Sequence, residues 1–441
     1  MGVRSMLISP LFYQGEAIGT LEILSPRPQD LGPIDSMLVK QITPIFSVAL
    51  KRGLDEMNNT IQSIIKEKCT AVHPSVEWRF RKAAFRHMDS LRVGQASEME
   101  PIIFKDVIPF YAQSDIRGSS EGRNMGIQAD LTEQLNLALD IMKWAEKAKS
   151  WPLISEFKYR IEKRIKGVHA GLASDEEALI SHFLSREVEP AFEDLLSLGP
   201  RVVRAVENYR KAIDPIVGVV YRKRREFEES VSTLNEALSA YLDREETEAQ
   251  SVFPHYFEKR QTDGIDYMMY VGASMMENGK LSAFHVKNLG LWQLIVACGM
   301  AWHTEQIKPE LKVPLETCHL ILVNHTPLSI RFRYDEKRFD VDGAYDVRHE
   351  IIKSRIDKAV VKGTGERLTQ PGRVAIVYSH TDEGREIQRH IDFLKAQGNL
   401  LNDLEFLDLD DLPGVRGLKA LRVDINLETQ ALTRTVELAA V

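Results

Sequence analysis

The segment that most restricts the fold is an apolar run, Ile102-Ile103-Phe104-Lys105-Asp106-Val107-Ile108-Pro109-Phe110-Tyr111-Ala112. It leads into Ser114-Asp115-Ile116-Arg117-Gly118-Ser119-Ser120. A run of this kind, closed by a turn signal, reads as a buried strand. An aspartate where the chain leaves that strand is placed to bind a hard cation through oxygen. Far downstream stands Phe339-Asp340-Val341-Asp342-Gly343, followed by a helical stretch and then by Pro371-Gly372 before a β-branched run over 373–379. Pro-Gly ahead of such a run is a turn feeding a strand.

Between these segments the periodicity changes. Residues 124–250 read as almost wholly helical, with Ile127, Leu131, Leu135, Leu139 and Met142 on one stripe and Leu179, Phe183, Val188, Phe192 and Leu195 on another. A third helix is expected from Arg201 to about Tyr241, kinked at Pro215. After Pro254 the pattern becomes mixed. Strands are expected over 265–273, 319–324, 329–334, 373–379 and 418–425, and helices over 286–307, 345–361 and 381–396. Such alternation predicts a layered α/β sheet with helices packed over it. At the N-terminus, residues 5–24 alternate as a hairpin with a Gly-containing turn, and a helix follows over about 35–50. A hairpin and one helix are marginally stable alone, so this segment is expected to dock elsewhere or to dimerise. From Lys51 to Arg92 the chain is helical and charged, broken at His73-Pro74.

Taken in order, the Asp115 string and the 339–379 block resemble the class III nucleotidyl cyclase domain. Its strand opening is D-[IV]-x-G-[FS]-[ST], and its later block is [YF]-D-V-x-G followed by P-G and a strand. The N-terminal string Gly15-Glu16-Ala17-Ile18-Gly19-Thr20-Leu21-Glu22-Ile23-Leu24, with the helix ending in Phe46-Ser47-Val48-Ala49-Leu50, looks like the last third of a GAF domain. The resemblance implies an α+β fold with a ferredoxin-like, cyclase-type sheet. It divides the chain into a GAF-like segment (1–50), a helical signalling linker (51–96), a cyclase-like α/β domain (97–123 and 251–428), a helical insertion (124–250) and a tail (429–441). The segments at 115 and 340 are expected on neighbouring strands of one sheet.

The same resemblance assigns roles. In that family, carboxylates hold Mg²⁺ or Mn²⁺ across an in-line displacement. Asp115 takes the first metal position. The second falls on Asp263 or Asp266, because the family's Gly-Asp order is not kept in Thr262-Asp263-Gly264-Ile265-Asp266; a one-residue shift along a strand turns a side chain to the other face. An Asp-Gly turn explains Asp263 as well. Lys259 or Gln261 stands near the base-reading position, and Asp340 matches a position associated with adenine selection. The asparagine and arginine that stabilise the transition state fall on Val347 and Ile351, which cannot do so; Arg348 and Arg355 lie nearby at shifted positions. Two functions follow. One is a catalytically degenerate, dimerising regulatory or ligand-binding module. The other is an active metal-dependent cyclase acting on ATP or GTP. A homodimer and a nucleotide or small-molecule ligand are implied by resemblance alone.

Other classes find no support in the residues. A net charge of −7 gives no nucleic-acid footprint. Cys69, Cys298 and Cys318 are too few and scattered for a disulfide framework or a zinc site, which suits a reducing cytoplasm. The first twenty residues lack a continuous apolar core, so no signal peptide is expected, and the apolar stretch near 289–302 is too short and polar to span a bilayer. No Walker A, G-x-S-x-G or H-E-x-x-H string is present.

Overall fold

The alternation at the N-terminus forms a hairpin in the computed structural model, which describes residues 2–69, 72–94, 98–171, 176–277, 279–342 and 347–428. Strand β1 (Ser5–Tyr13) pairs antiparallel with β2 (Glu16–Ser25). Gln14 and Gly15 take positive φ in the turn between them. The helical stretches expected around residue 50 are one helix, α1 (Pro33–Cys69), which runs through Pro44. His73 and Pro74 break the chain as expected, the His73 ring accepting from the Ser75 amide. Helix α2 (Glu77–Arg92) then buries Phe80, Ala83, Ala84 and Met88.

The apolar run becomes β3 (Ile103–Ile116). There follow α3 (Ser119–Ala148), α4 (Pro152–Ala170), α5 (Glu176–Phe183), α6 (Glu189–Leu195), α7 (Pro200–Ala212) and α8 (Lys223–Val252). Next come the hairpin β4 (Tyr256–Thr262) and β5 (Gly264–Val271), α9 (Ala283–Ile307), β6 (Thr317–Val323), β7 (Leu328–Arg333), β8 (Arg338–Val341) and α10 (Val347–Lys353). The chain closes with β9 (Arg373–Tyr378), α11 (Thr381–Ala396), β10 (Leu400–Asp408) and β11 (Lys419–Ile425). Pro215 ends a helix rather than kinking one. It lacks an N–H and restricts Asp214 to extended backbone, and the Asp214 carboxylate accepts from the Ile216 and Val217 amides in the loop.

The chain divides into two units, Met1–Val107 with Gly272–Lys280 and Pro327–Asp346, and Ile108–Val271 with Leu281–Thr326 and Val347–Val441. In the first, the early part of β3 pairs with β7, and β7 with β8. Phe80 of α2 packs edge-on against Phe332 and Phe339, with ring centroids 4.9 and 6.1 Å apart. In the second, the sheet order is β10-β11-β9-β6-β3-β5-β4, antiparallel except for the parallel pair β6 and β9. Strand, helices, hairpin, helix, strand in the order β6-β3-β5-β4 is the ferredoxin-like arrangement, so the expected α+β class is the one observed. One expectation is not met. The stretch at 340 does not lie beside the stretch at 115: β8 pairs with β7, which meets β3 at Ile103, Phe104 and Val107. The other residues, Ile108–Ile116, bond to β5 and β6. Gly343 and the tail beyond Glu428 lie outside the described residues.

The helices between β3 and β4 have two roles. Helices α3–α7 close around their own core of Leu135, Ile141, Met142, Phe183, Val188 and Phe192. The buried Gln134 amide joins Tyr209 to the Val220 N–H. Helix α8 is instead the crossover helix of the sheet. Its Asn235 donates to the Thr262 carbonyl, and Tyr241 lies against Gly299 of α9 so closely that any Cβ there would overlap its hydroxyl. Both carboxylate oxygens of the buried Asp130 accept from the Lys223 and Arg224 amides, which fixes the start of α8 on α3.

A glycine closes the hairpin onto β3. Gly264 has φ +139, and an added Cβ would overlap the Ser114 carbonyl oxygen and lie 2.9 Å from Asp115 Cα. Gly264→Ala is expected to destabilise the chain by about 3 kcal/mol, combining backbone strain with displacement of β3. Gly363→Ala, at φ +86 in open space, is expected to cost about 1 kcal/mol. Urea denaturation of both variants checks the difference, and equal losses would show that the close approach at Gly264 is not tight.

Candidate functional site

Strand alternation decides what can meet Asp115. Tyr111, Gln113 and Asp115 share one face of β3, and Phe110, Ala112 and Ser114 the other. The second face is covered by helices: Tyr267, on the same side of β5, packs edge-on against Trp292 of α9. On the first face Asp115 stands opposite Gly264 and Cys318, Gln113 opposite Asp266 and Leu320, and Tyr111 opposite Met268 and Leu322. Arg260 of β4 is the cross-strand partner of Asp266. Asp266 is therefore a diagonal neighbour of Asp115 on one surface.

That surface carries a roof. Ile352, Ile356, Ala359 and Leu368 form one apolar cluster with Tyr111, Leu320, Leu322, Ala375 and Val377, joined by Leu409, Val415 and Leu418. Asp115 sits beside this roof, half-buried, and no described donor hydrogen-bonds its carboxylate. Burial pushes its pKa up to about 6, and the charges of Asp357 and Asp263 add to the shift against Arg367 and Arg117. Burial also raises Asp266, opposed by Arg260 and Lys353. The Tyr111 phenol is raised by burial first, then by Asp266 and Asp357. The charges of Asp115, Asp266 and Asp357 thus act on one half-buried patch, with Arg260, Lys353 and Arg367 as counter-charges. Burial likewise raises the Cys318 thiol, to about 11.

The other candidates are dispersed. Asp263 forms the β4–β5 turn; its carboxylate takes Arg123 of α3 at 2.6 Å, and its carbonyl accepts from the Ile116 amide. Lys259 lies one residue out of phase with Arg260 and so points to the helical face, where its Nζ donates to Ser239 and Asp243 of α8. Arg355 is exposed beyond α10. Arg348 belongs to α10, but its side chain lies outside the described residues. Asp340 is in β8 of the first unit, its carboxylate accepting from the Val341 amide. Sequence reasoning overlooked Arg260, Lys353, Asp357 and Arg367. Arg260 was recoverable from the two-residue period of the hairpin. The other three come from the roof, which carries no motif.

His380 and Glu383 form a reciprocal helix cap at α11. The three cysteines are free and buried. Among the described residues no three His, Cys, Asp or Glu side chains converge as a metal-holding group, and no helix is long and apolar enough to cross a membrane.

No family model matches the chain, and no curated protein matches it. Among solved structures, the crystal structure of the guanylyl cyclase Cya2 aligns with 75% of this chain and 97% of its own length, at 10% identity and a TM-score of 0.30.

The raised pKa of Asp115 has a consequence for stability. Its folded value, about 6, exceeds the unfolded value of about 4. The folded state therefore favours the protonated acid, and the stability this contributes is lost as pH rises from about 4 through about 6. Asp115→Asn is expected to stabilise the chain at pH 7 by about 1 kcal/mol, after allowance for solvent screening of a partly exposed group, and to leave it unchanged near pH 4. Denaturant midpoints at both pH values check this; equal or lower stability at pH 7 would mean that a favourable contact holds the charged form.

Proposed function

We propose that this chain is a signalling protein in which a GAF-like N-terminal segment is joined to a cyclase-like domain emptied of catalysis, acting as a dimerising regulatory or ligand-binding module. The observation that carries this reading is the apolar roof. Ile352, Ile356, Ala359 and Leu368 pack on the sheet face that holds Asp115, where a nucleoside triphosphate and two cations would need open, polar space. The carboxylates also speak for it. Asp263 is engaged by Arg123, and Asp266 is flanked by Arg260 and Lys353. This donor set does not fit a two-cation centre, which needs carboxylates free to turn toward shared metal. The positions of the transition-state pair hold Val347 and Ile351, and loss of one such donor alone costs about 10²–10³ in rate. Support for the cyclase kinship itself is the ferredoxin-like strand order together with the Asp115 string.

The test is incubation of the purified chain with ATP or GTP and Mn²⁺, beside Asp115→Ala. No cyclic nucleotide above the protein-free blank is expected from either protein. Product made by the natural sequence and lost in Asp115→Ala would overturn the reading in favour of an active cyclase.

A further inference from the structure

Helix α1 is built inside out. Three residues on one side, Val39, Thr43 and Ser47, are buried or half-buried. They are small and partly polar: the Thr43 hydroxyl donates to the Val39 carbonyl and lies 3.3 Å from the Ser9 hydroxyl, and Ser47 donates to the Thr43 carbonyl. At 3.6 residues per turn the opposite side carries Ile34, Met37, Leu38, Ile42, Ile45 and Val48. These are 42% (Ile42) to 75% (Ile34) exposed. A surface helix of a folded unit normally turns this stripe inward, and contiguous apolar patches of this size mark an interaction site.

We propose that this stripe is the face on which two copies of the chain associate, α1 against α1 about a two-fold axis. Two observations select a second copy. The first is area. Six large side chains exposed to this extent offer on the order of 650 Å² per copy, near the about 800 Å² per partner of a stable interface of standard size. The second is charge. Lys51 pairs with Asp55 and Arg52 with Glu56 along the helix itself, and Asp35 and Lys40 balance one another in number. A neutral border gives no hold to an anionic lipid surface, which calls for a basic one. It gives none to a strongly charged protein partner either. A two-fold axis presents the stripe with an identical neutral, apolar surface. The inference deepens the dimerising reading above by naming the surface, but it rests on α1 alone and stands whether or not the second unit is catalytic.

Light scattering coupled to size exclusion tests it on the full chain. The natural sequence is expected to have the mass of two chains at micromolar concentration. Leu38→Glu combined with Ile45→Glu is expected to reduce this to one chain, with helix content retained because both positions are exposed and with the melting temperature lowered only by the loss of association. Ile8→Glu with Phe12→Glu, on the exposed outer face of the hairpin, is expected to leave the dimer intact. A natural chain that is monomeric, a dimer that survives the α1 substitutions, or one that dissociates on the hairpin substitutions instead would each overturn the proposal. Absence of cyclase product bears on the reading of the second unit and leaves this one untouched.

Discussion

The second unit depends on one strand being bonded along both edges. From Ile108 to Ile116, β3 exchanges backbone hydrogen bonds with β5 on one side and β6 on the other. Nothing larger than hydrogen fits between it and the turn at Gly264. The approach is tight because the Ile116 amide reaches past the end of the ladder to the Asp263 carbonyl, and the Arg117 amide to the Glu316 carbonyl. These bonds hold both neighbouring strands to the point where Asp115 leaves the sheet. The position of Asp115 is therefore a property of the backbone, fixed before any side-chain chemistry.

Given that strand, the period of two sorts the remaining chemistry. Residues in phase with Asp115 lie under the roof, and residues out of phase lie under α8 and α9. Lys259 and Arg260 are adjacent in sequence but meet different partners, Asp243 on the helical side and Asp266 on the roofed side. The helical side tolerates polar groups where they bond among themselves, as in the buried chain Thr304, Thr317 and His319. Burial there drives the His319 pKa down to about 3, so the ring stays neutral and adds no charge to the sheet.

Elements with a regular period were legible in the sequence. The alternating N-terminal strands, the runs at 265, 319, 373 and 418, and the helix from Thr381 to Ala396 all carried their own signal. The Asp115 string was legible for the same reason, since a buried run and a turn are both local. Three things were not. Strand β8 has only four residues, and β10 buries Leu400 alone, its other positions being exposed or half-buried in no regular period. The start of α8 is set by Asp130, 93 positions away. The roof is fixed by long-range packing of short pieces such as Ile356 and Leu368 against Leu320, and no spacing announces it. The neighbourhood expected between 115 and 340 failed on the same ground. A motif states which residues are near in sequence, while β-pairing between distant segments is decided by which edge is free. The Ile108–Ile116 part of β3 was already filled by β5 and β6.

The electrostatics of the roofed face follow from this division. Each aspartate of the turn and hairpin has a cation placed for it by secondary structure: Arg123 by the first turn of α3 for Asp263, Arg260 by the β4 register for Asp266. For Asp115, burial and the like charges of Asp357 and Asp263 outweigh the attraction of Arg367 and Arg117, and its pKa rises. A bound divalent cation would invert that balance, but at Asp263 it would have to displace the bonded Arg123, and at Asp266 it would meet the nearby charges of Arg260 and Lys353. The fold thus places positive charge at both candidates for the second metal position, Asp263 and Asp266, while burial and like charge raise the pKa of Asp115.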